Sequence, residues 1–387
     1  MYDFDKVVNR RDTNSYKWDV PEGQLPMWVA DMDFETAPAV KQAIKKRAEH
    51  GVFGYASTPD EWYSAYQSWW NRRHGFKIEK EWLLFCTGIV PAISSIVRKV
   101  TNVAENVIVI TPAYNIFFNS IYNNGRNIIE CQLDYEDGEY SLDLNKLEDL
   151  CADPQSTLLI LCNPHNPVGK IWDKQTLSKI GDICARNNVI VLSDEIHCDI
   201  TVPGREYVPF ASVSEVCRDN SIVCISPTKT FNIAGIQTAA ICVPEKKLRH
   251  KVWRGINTDE VAEGNVFAYE AAVAAFNESE DWVNELNEYL AANRKYAEQY
   301  INEKIDGLIA IHGEATYLLW IDCGQVTQDS KDFSRFLKNK AGLFLSVGDI
   351  YRGNGNTFMR MNLACTRKNL EEGLKRLEKG VSEYKMQ

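Results

Sequence analysis

The sequence predicts an α/β protein built on a doubly wound, mostly parallel sheet of about seven strands, with a smaller α+β domain beside it. Three observations carry this expectation. Short β-rich runs recur along the first two thirds of the chain, most of them apolar without alternation, as in strands covered on both faces. Helical patterns lie between several of them, and the order β-α-β-α is that of a doubly wound sheet. After Ala262 the texture changes to a long helical stretch and then to a second mixed region.

In chain order the expected strands are WLLFCT (82–87), VIVIT (107–111), NIIECQL (127–133), TLLILC (157–162), VIVLS (189–193), SIVCIS (221–226) and TAAICV (238–243). The runs PAISSIVRKV and KQTLSKIGDICARNN supply helices between them. A long helix is expected over roughly 265–305, then strands ATYLLWID (315–322), LFLSV (343–347) and TFMRMNLA (357–364), and a closing amphipathic helix LEEGLKRLEKGV. The expected division is a large domain, 45–285, and a small domain made from both chain ends, 1–44 and 286–387. No internal repeat or low-complexity tract is visible.

Composition narrows the function classes. The 387 residues carry 43 basic and 53 acidic side chains, a net charge of −10, so no nucleic-acid partner is expected. The 45% hydrophobic and 25% charged fractions are those of a globular protein and not of a disordered chain. Eleven scattered cysteines, none in a CxxC, fit neither a zinc ribbon nor a dithiol redox site and suit a reducing cytoplasm. The charged start MYDFDKVVNRRD lacks the apolar core of a signal peptide. The longest uncharged run, Asn106 to Gly125, holds five asparagines and a proline and is a poor membrane span. The expectation is a cytoplasmic protein without membrane contact.

In an open α/β sheet, ligands bind beyond the carboxyl ends of the strands, so the residues after each strand matter most. After 82–87 come Gly88, Ile89 and Val90, opening a helix whose free N–H groups suit an anion, although a plain strand–helix turn reads the same way. After 107–111 comes Tyr114, a ring that could stack on a flat ligand or simply pack. After 157–162, Asn163-Pro-His-Asn166-Pro-Val-Gly169 builds a stiff loop that could aim the Asn166 amide at the crevice. VIVLS ends in Asp194, costly at a buried strand end unless it caps a helix or meets a cation. SIVCIS leads into Ser226-Pro-Thr228-Lys229, where a lysine becomes a nucleophile if burial lowers its pKa and is otherwise a solvated loop residue.

Together these groups are more specific than any one of them. A phosphate cradle, a stacking ring, an amide, a carboxylate and a lysine are the parts needed by a phosphorylated, planar pyridinium aldehyde. With these motifs the sequence resembles, over essentially its whole length, the fold-type I pyridoxal-phosphate enzymes of the aminotransferase class I/II superfamily. The resemblance implies pyridoxal 5′-phosphate as cofactor, with Lys229 bonded to its aldehyde, Asp194 on the ring nitrogen, Asn166 on the ring hydroxyl and Tyr114 on the ring face. It implies that Gly88, Ile89, Val90, Ser226 and Thr228 hold the phosphate. Tyr55, in Gly51-Val-Phe-Gly-Tyr55, matches a tyrosine that reaches into the neighbouring subunit's site, which implies a homodimer. Arg360, in Phe358-Met-Arg360-Met-Asn362, matches the arginine that grips a substrate α-carboxylate, a bidentate task suited to guanidinium.

Two departures from the aminotransferase pattern point to a branch. Gln237 stands where an arginine would help bind phosphate, and His197 where a tyrosine is usual; His197 then serves the cofactor or packing. With Leu25-Pro-Met-Trp-Val-Ala-Asp-Met-Asp-Phe34, Arg72-Arg-His-Gly-Phe76 and Lys229-Thr-Phe-Asn-Ile-Ala-Gly235, they resemble the cystathionine β-lyase (C–S lyase) branch, which includes the maltose-regulon modulator type. The substrate pocket would then be lined by Trp28, Ala30, Asp31, Arg360 and Tyr55 of the partner chain. The implied reaction is α,β-elimination from an amino acid with sulfur on its β-carbon, giving thiol, pyruvate and ammonia. An aminotransferase shares every cofactor residue, and a pyridoxal-phosphate-binding regulator that contacts a transcription factor is the alternative from another class. Ser226-x-x-Lys229 lacks the K-T-G partner of a penicillin-binding site, Gly353-Asn-Gly355 precedes a strand-like run and is no dinucleotide loop, and the six histidines show no metal spacing.

Overall fold

The computed structural model describes residues 2–386. The seven expected strands form one sheet: β1 (Leu83–Cys86), β2 (Asn106–Thr111), β3 (Asn127–Gln132), β4 (Ser156–Cys162), β5 (Ile190–Asp194), β6 (Ser221–Ile225) and β7 (Ala239–Cys242). Their spatial order is β1-β7-β6-β5-β4-β2-β3. Six run the same way, and β7 runs antiparallel between β6 and β1. The unbroken apolar runs are explained by burial on both faces. Val107 and Val109 of β2 pack on one side, while Ile108 and Ile110, one residue out of phase, pack on the other.

Nine helices matter to the layers: α1 (Pro38–Glu49), α2 (Asp60–His74), α3 (Ile89–Val100), α4 (Asn115–Tyr122), α5 (Lys174–Arg186), α6 (Lys246–Thr258), α7 (Val266–Glu278), α8 (Glu280–Lys304) and α9 (Arg367–Lys385). Helices α3, α4 and α6 cover one face through Ile93, Phe117 and Val252. On the other face α5 lies over β2, β4 and β5, and α7 with α2 lies over β1, β6 and β7. Helix α7 is a run of alanines at its contacts, and its slim surface admits the buried Trp62, Tyr66, Trp69 and Trp70 of α2.

The expected helix over 265–305 is two helices, broken at Ser279, whose hydroxyl donates to the Ala274 carbonyl at 3.2 Å. The smaller sheet has strands β8 (Ile309–Ala310), β9 (Leu318–Asp322), β10 (Ser346–Val347) and β11 (Phe358–Asn362), in the antiparallel order β8-β9-β11-β10. The run LFLSV is not one strand. Leu343–Phe344 pairs in parallel with Leu25–Pro26, and only Ser346–Val347 joins β11. That pairing seats the N-terminal segment against the C-terminal one. The expected domain limits at 44/45 and 285/286 fall inside α1 and α8. No helix among the described residues is long and apolar enough to cross a membrane.

Candidate active site

The carboxyl ends of β1, β2, β4, β5 and β6 open on one cavity of about 280 Å³. Gly88, Ile89, Val90, Tyr114, Asn166, Asp194, His197, Thr228, Lys229 and Ala30 all line it. The strands deliver these groups because each apolar run must end where the sheet does, and polar side chains sit just past the end.

Asp194 is the last residue of β5 and is buried. The Ile196 N–H donates to its Oδ1 at 3.1 Å. Burial pushes its carboxyl up to about 7, against smaller opposing pulls from the Ile196 N–H and the Lys229 charge. The carboxylate therefore lacks a close cationic partner. Lys229 has the opposite shift: burial lowers its amine to about 8, helped by the Arg360 charge and opposed by Asp31 and Asp194. Its Nζ donates to the carbonyl of Ala30, which also accepts from the Tyr317 hydroxyl at 3.0 Å. His197 is buried and driven down to about 3 by desolvation, then by the Lys229 and Arg360 charges, so it stays neutral. Its Nδ1 is buried without a hydrogen-bond partner.

Asn166 accepts at Oδ1 from Nη1 of Arg360 at 3.1 Å, which leaves its N–H₂ free to donate into the cavity. Arg360, on β11, also donates from Nη2 to the Trp28 carbonyl at 3.0 Å, and its Nε has no partner. Tyr114 lies on the wall, its hydroxyl raised to about 12 by burial, with Arg360 lowering it and Asp194 raising it. The N-terminus of α3 has no side-chain cap and no acidic residue in its first turn, so its leading N–H groups are open to an anion. Gln237 lines the same end with φ of +60°, immediately after a tight turn at Ala234–Ile236.

Five expected residues do not line the cavity, Arg360 among them, set behind Asn166. Ser226 does not reach the cavity: its hydroxyl donates to the Thr238 carbonyl at 2.7 Å and accepts from the Thr228 N–H at 3.1 Å, pinning the Lys229 turn. Tyr55 is fully exposed and does not line its own chain's cavity. Trp28 stacks on Phe344 at 4.7 Å, offering its carbonyl to Arg360. The Asp31 carboxylate is held by Arg10 at 2.6 Å and lies 3.7 Å from Lys17. Its charge reaches Lys229 without contact. Thr87, Cys162 and Ile196 also line the cavity, each adjoining a strand end, and nothing in their residue types marks them as site residues. His74, Cys198 and Asp199 offer three ligand atoms within 4.8 Å. The Asp199 oxygens there are already bonded to His74, Trp69 and Thr230, with Arg73 3.6 Å away.

A doubly wound sheet whose strand ends collect an amine, a carboxylate, an amide and a phenol round one cavity is the fold of the fold-type I pyridoxal-phosphate enzymes. The chain belongs to the aminotransferase class I and II family, whose sequence model matches residues 23–377. It is 36% identical to cystathionine beta-lyase PatB of Bacillus subtilis over 98% of this chain and 100% of that one. It is 30% identical to protein MalY of Escherichia coli, over 97% of each chain. The crystal structure of cystalysin from Treponema denticola, which contains a pyridoxal 5′-phosphate cofactor, superposes with a TM-score of 0.96 at 33% identity over 99% of both chains.

Proposed function

We propose that this protein is a pyridoxal-phosphate-dependent carbon–sulfur β-lyase that cleaves cystathionine or related S-substituted cysteines to a thiol, pyruvate and ammonia. One observation carries the reading. A low-pKa lysine and a buried carboxylate without a cation line one cavity, with Arg360 bonded to the Asn166 that also lines it, in a chain matched end to end by a relative named cystathionine beta-lyase.

The residues fit the cofactor. Asp194 would hold its ring nitrogen protonated, which supplies the cation the buried carboxylate lacks and lowers the cost of burial. Tyr114 would cover one ring face, the free N–H₂ of Asn166 would meet the ring oxygen, and the α3 N-terminus with Thr228 and Gln237 would take the phosphate. A neutral glutamine in place of an arginine leaves more of that charge to the helix N-terminus. When bound, the cofactor supplies an aldehyde carbon for an amine and a protonated ring that accepts electrons from the α-carbon.

The protein's own steps follow from the shifts described. Lys229, partly neutral near pH 8, would be the amine that holds the cofactor aldehyde and the base that takes the proton from the substrate α-carbon. Arg360 receives the substrate carboxylate on its guanidinium edge, and Asn166 and the Trp28 carbonyl fix that edge. The neutral His197 adds no competing charge next to Asp194. A homodimer is part of this reading. Tyr55 is exposed together with Val52 and Phe53, as expected of a residue that completes a neighbour's site. The eleven buried free thiols suit a reducing cytoplasm. Purified protein with pyridoxal phosphate should release pyruvate from cystathionine, and Lys229→Ala should lower that rate by roughly 10²–10⁴-fold or more. Conversion of a 2-oxo acid to an amino acid with no pyruvate released would make it an aminotransferase instead.

A further inference from the structure

Arg352 has φ of +58° and ψ of −157°, a backbone region that residues with a β-carbon occupy only under constraint. The constraint is visible. Its guanidinium lies over the Phe118 ring at 4.4 Å and donates to Glu130 Oε1 at 3.3 Å. The other oxygen of Glu130 accepts from the Gly353 N–H at 3.2 Å, so one carboxylate on edge strand β3 grips both the side chain and the next peptide. Gly353 itself has φ of +55°, and a β-carbon there would lie 3.1 Å from the Pro112 nitrogen, so the loop backbone is seated directly on the segment after β2.

That loop touches two parts of the active site. The Tyr351 carbonyl accepts from the Ala113 N–H at 2.9 Å, one residue before the ring-stacking Tyr114. The Tyr351 ring is buried, shares a hydrogen bond of 3.0 Å with Ser346, and carries the Arg360 guanidinium over its face at 5.1 Å. The carboxylate-binding fork and the stacking tyrosine are thus both referenced to one strained peptide.

We infer that Arg352 and Glu130 form a latch of positioning residues. By holding the Tyr351–Gly353 backbone in its strained conformation against Ala113, they set where Arg360 presents itself to a substrate carboxylate. The inference rests on Arg360 being the carboxylate-binding residue. Strain separates two variants that a merely structural role would not. Arg352→Ala removes the side-chain half of the latch, leaving only the Glu130–Gly353 bond, and keeps the β-carbon, so the strained loop relaxes away. Arg352→Gly removes the same half, yet glycine adopts this conformation freely and the loop stays. Two readouts apply: binding of L-alanine to the cofactor-loaded protein, followed by the cofactor's absorbance, and hydrogen exchange of the peptide containing Ala113. Arg352→Ala should weaken L-alanine binding about tenfold and speed exchange at Ala113, whereas Arg352→Gly should return both close to the parent values. Glu130→Gln, a milder change, should move both in the direction of Arg352→Ala. Unchanged exchange in Arg352→Ala overturns the latch, and so does equal loss of binding in the alanine and glycine variants. Altered exchange with unaltered L-alanine binding overturns the link to Arg360. Failure of the lyase reading shows separately, in pyruvate release by the parent protein, which neither readout uses.

Discussion

Asp194 and Glu195 are consecutive buried carboxyls, both pushed up to about 7 by burial, and each stands in a different relation to the site. Glu195 is bonded by Ser193, Asn163, Tyr207 and the Phe210 N–H, whereas Asp194 has only the Ile196 N–H. An unfolded carboxyl loses its proton near pH 4, while the folded ones keep theirs until about 7. In that window these two carboxyls bind more protons folded than unfolded, so their own contribution to stability falls as pH rises from about 4 to about 7, while His165 and His197, held neutral in the fold, contribute in the opposite sense. Asp194→Asn removes one of the two groups and should shift the slope of melting temperature against pH in the positive direction across this window; an unaltered slope would contradict the burial of an unpaired charge at Asp194. Arg360→Lys gives up the planar fork held by Asn166 and Trp28, and should raise KM for an amino-acid substrate roughly ten- to hundredfold with cofactor binding retained, as steady-state kinetics would show. Lys229, Asp194, Asn166 and Tyr114 were legible because each stands just past an unbroken apolar run. The Arg10–Asp31 pairing and the strain at Arg352 were not, since neither a long-range ion pair nor a positive φ leaves a mark on local sequence.

Six of the seven strands of the main sheet were legible because burial on both faces demands largely apolar runs, which are rare elsewhere in the chain; the edge strand β3 is only part-buried and interrupted by Glu130, and its Ile128–Ile129 pair alone marked it. Direction was not legible. The run at β7 looks like its parallel neighbours, and only the pairing of Ala240 with Ile225 and Phe85 reveals that it is reversed. The LFLSV run hid a change of partner at Leu345, because both halves bury apolar side chains whichever strand they join. The connection that holds these elements round the site is also non-local. Asp199, five residues beyond Asp194, accepts from Trp69 and meets His74, both of α2, and accepts from Thr230, next to Lys229, each at 3.0 Å. Burial alone would push its carboxyl up, yet His74, Arg73 and Trp69 hold it below the usual carboxylate range. Asp199→Ala would leave these buried donors without an acceptor, at a cost of about 3–5 kcal/mol. Urea unfolding should register that loss with an unaltered slope, whereas a loss below about 1 kcal/mol would mean that α2 is anchored by its aromatic packing alone.

At the scale of the whole molecule, one chain lines the cavity, and Tyr55 lies outside it, fully exposed. A tyrosine is seldom left wholly bare beside an exposed Phe53 and Val52 unless another surface covers it. Helix α2 begins a few residues later, with Trp62 buried in the core, so the exposed segment projects from a rigid base. If Tyr55 completes the partner's site, Lys229→Ala and Tyr55→Ala damage different contributions to each site. A mixed dimer of the two would contain one site with both defects and one with neither. Chains mixed in equal amounts and allowed to exchange form mixed dimers half the time, so about a quarter of the parent activity should return. The same quarter should appear as pyruvate release only after subunit exchange, and not when the two variants are combined immediately before the assay. Complementation with that time dependence requires a shared site. Its absence, with both variants dimeric and individually inactive, would place Tyr55 at an interface without a part in the chemistry.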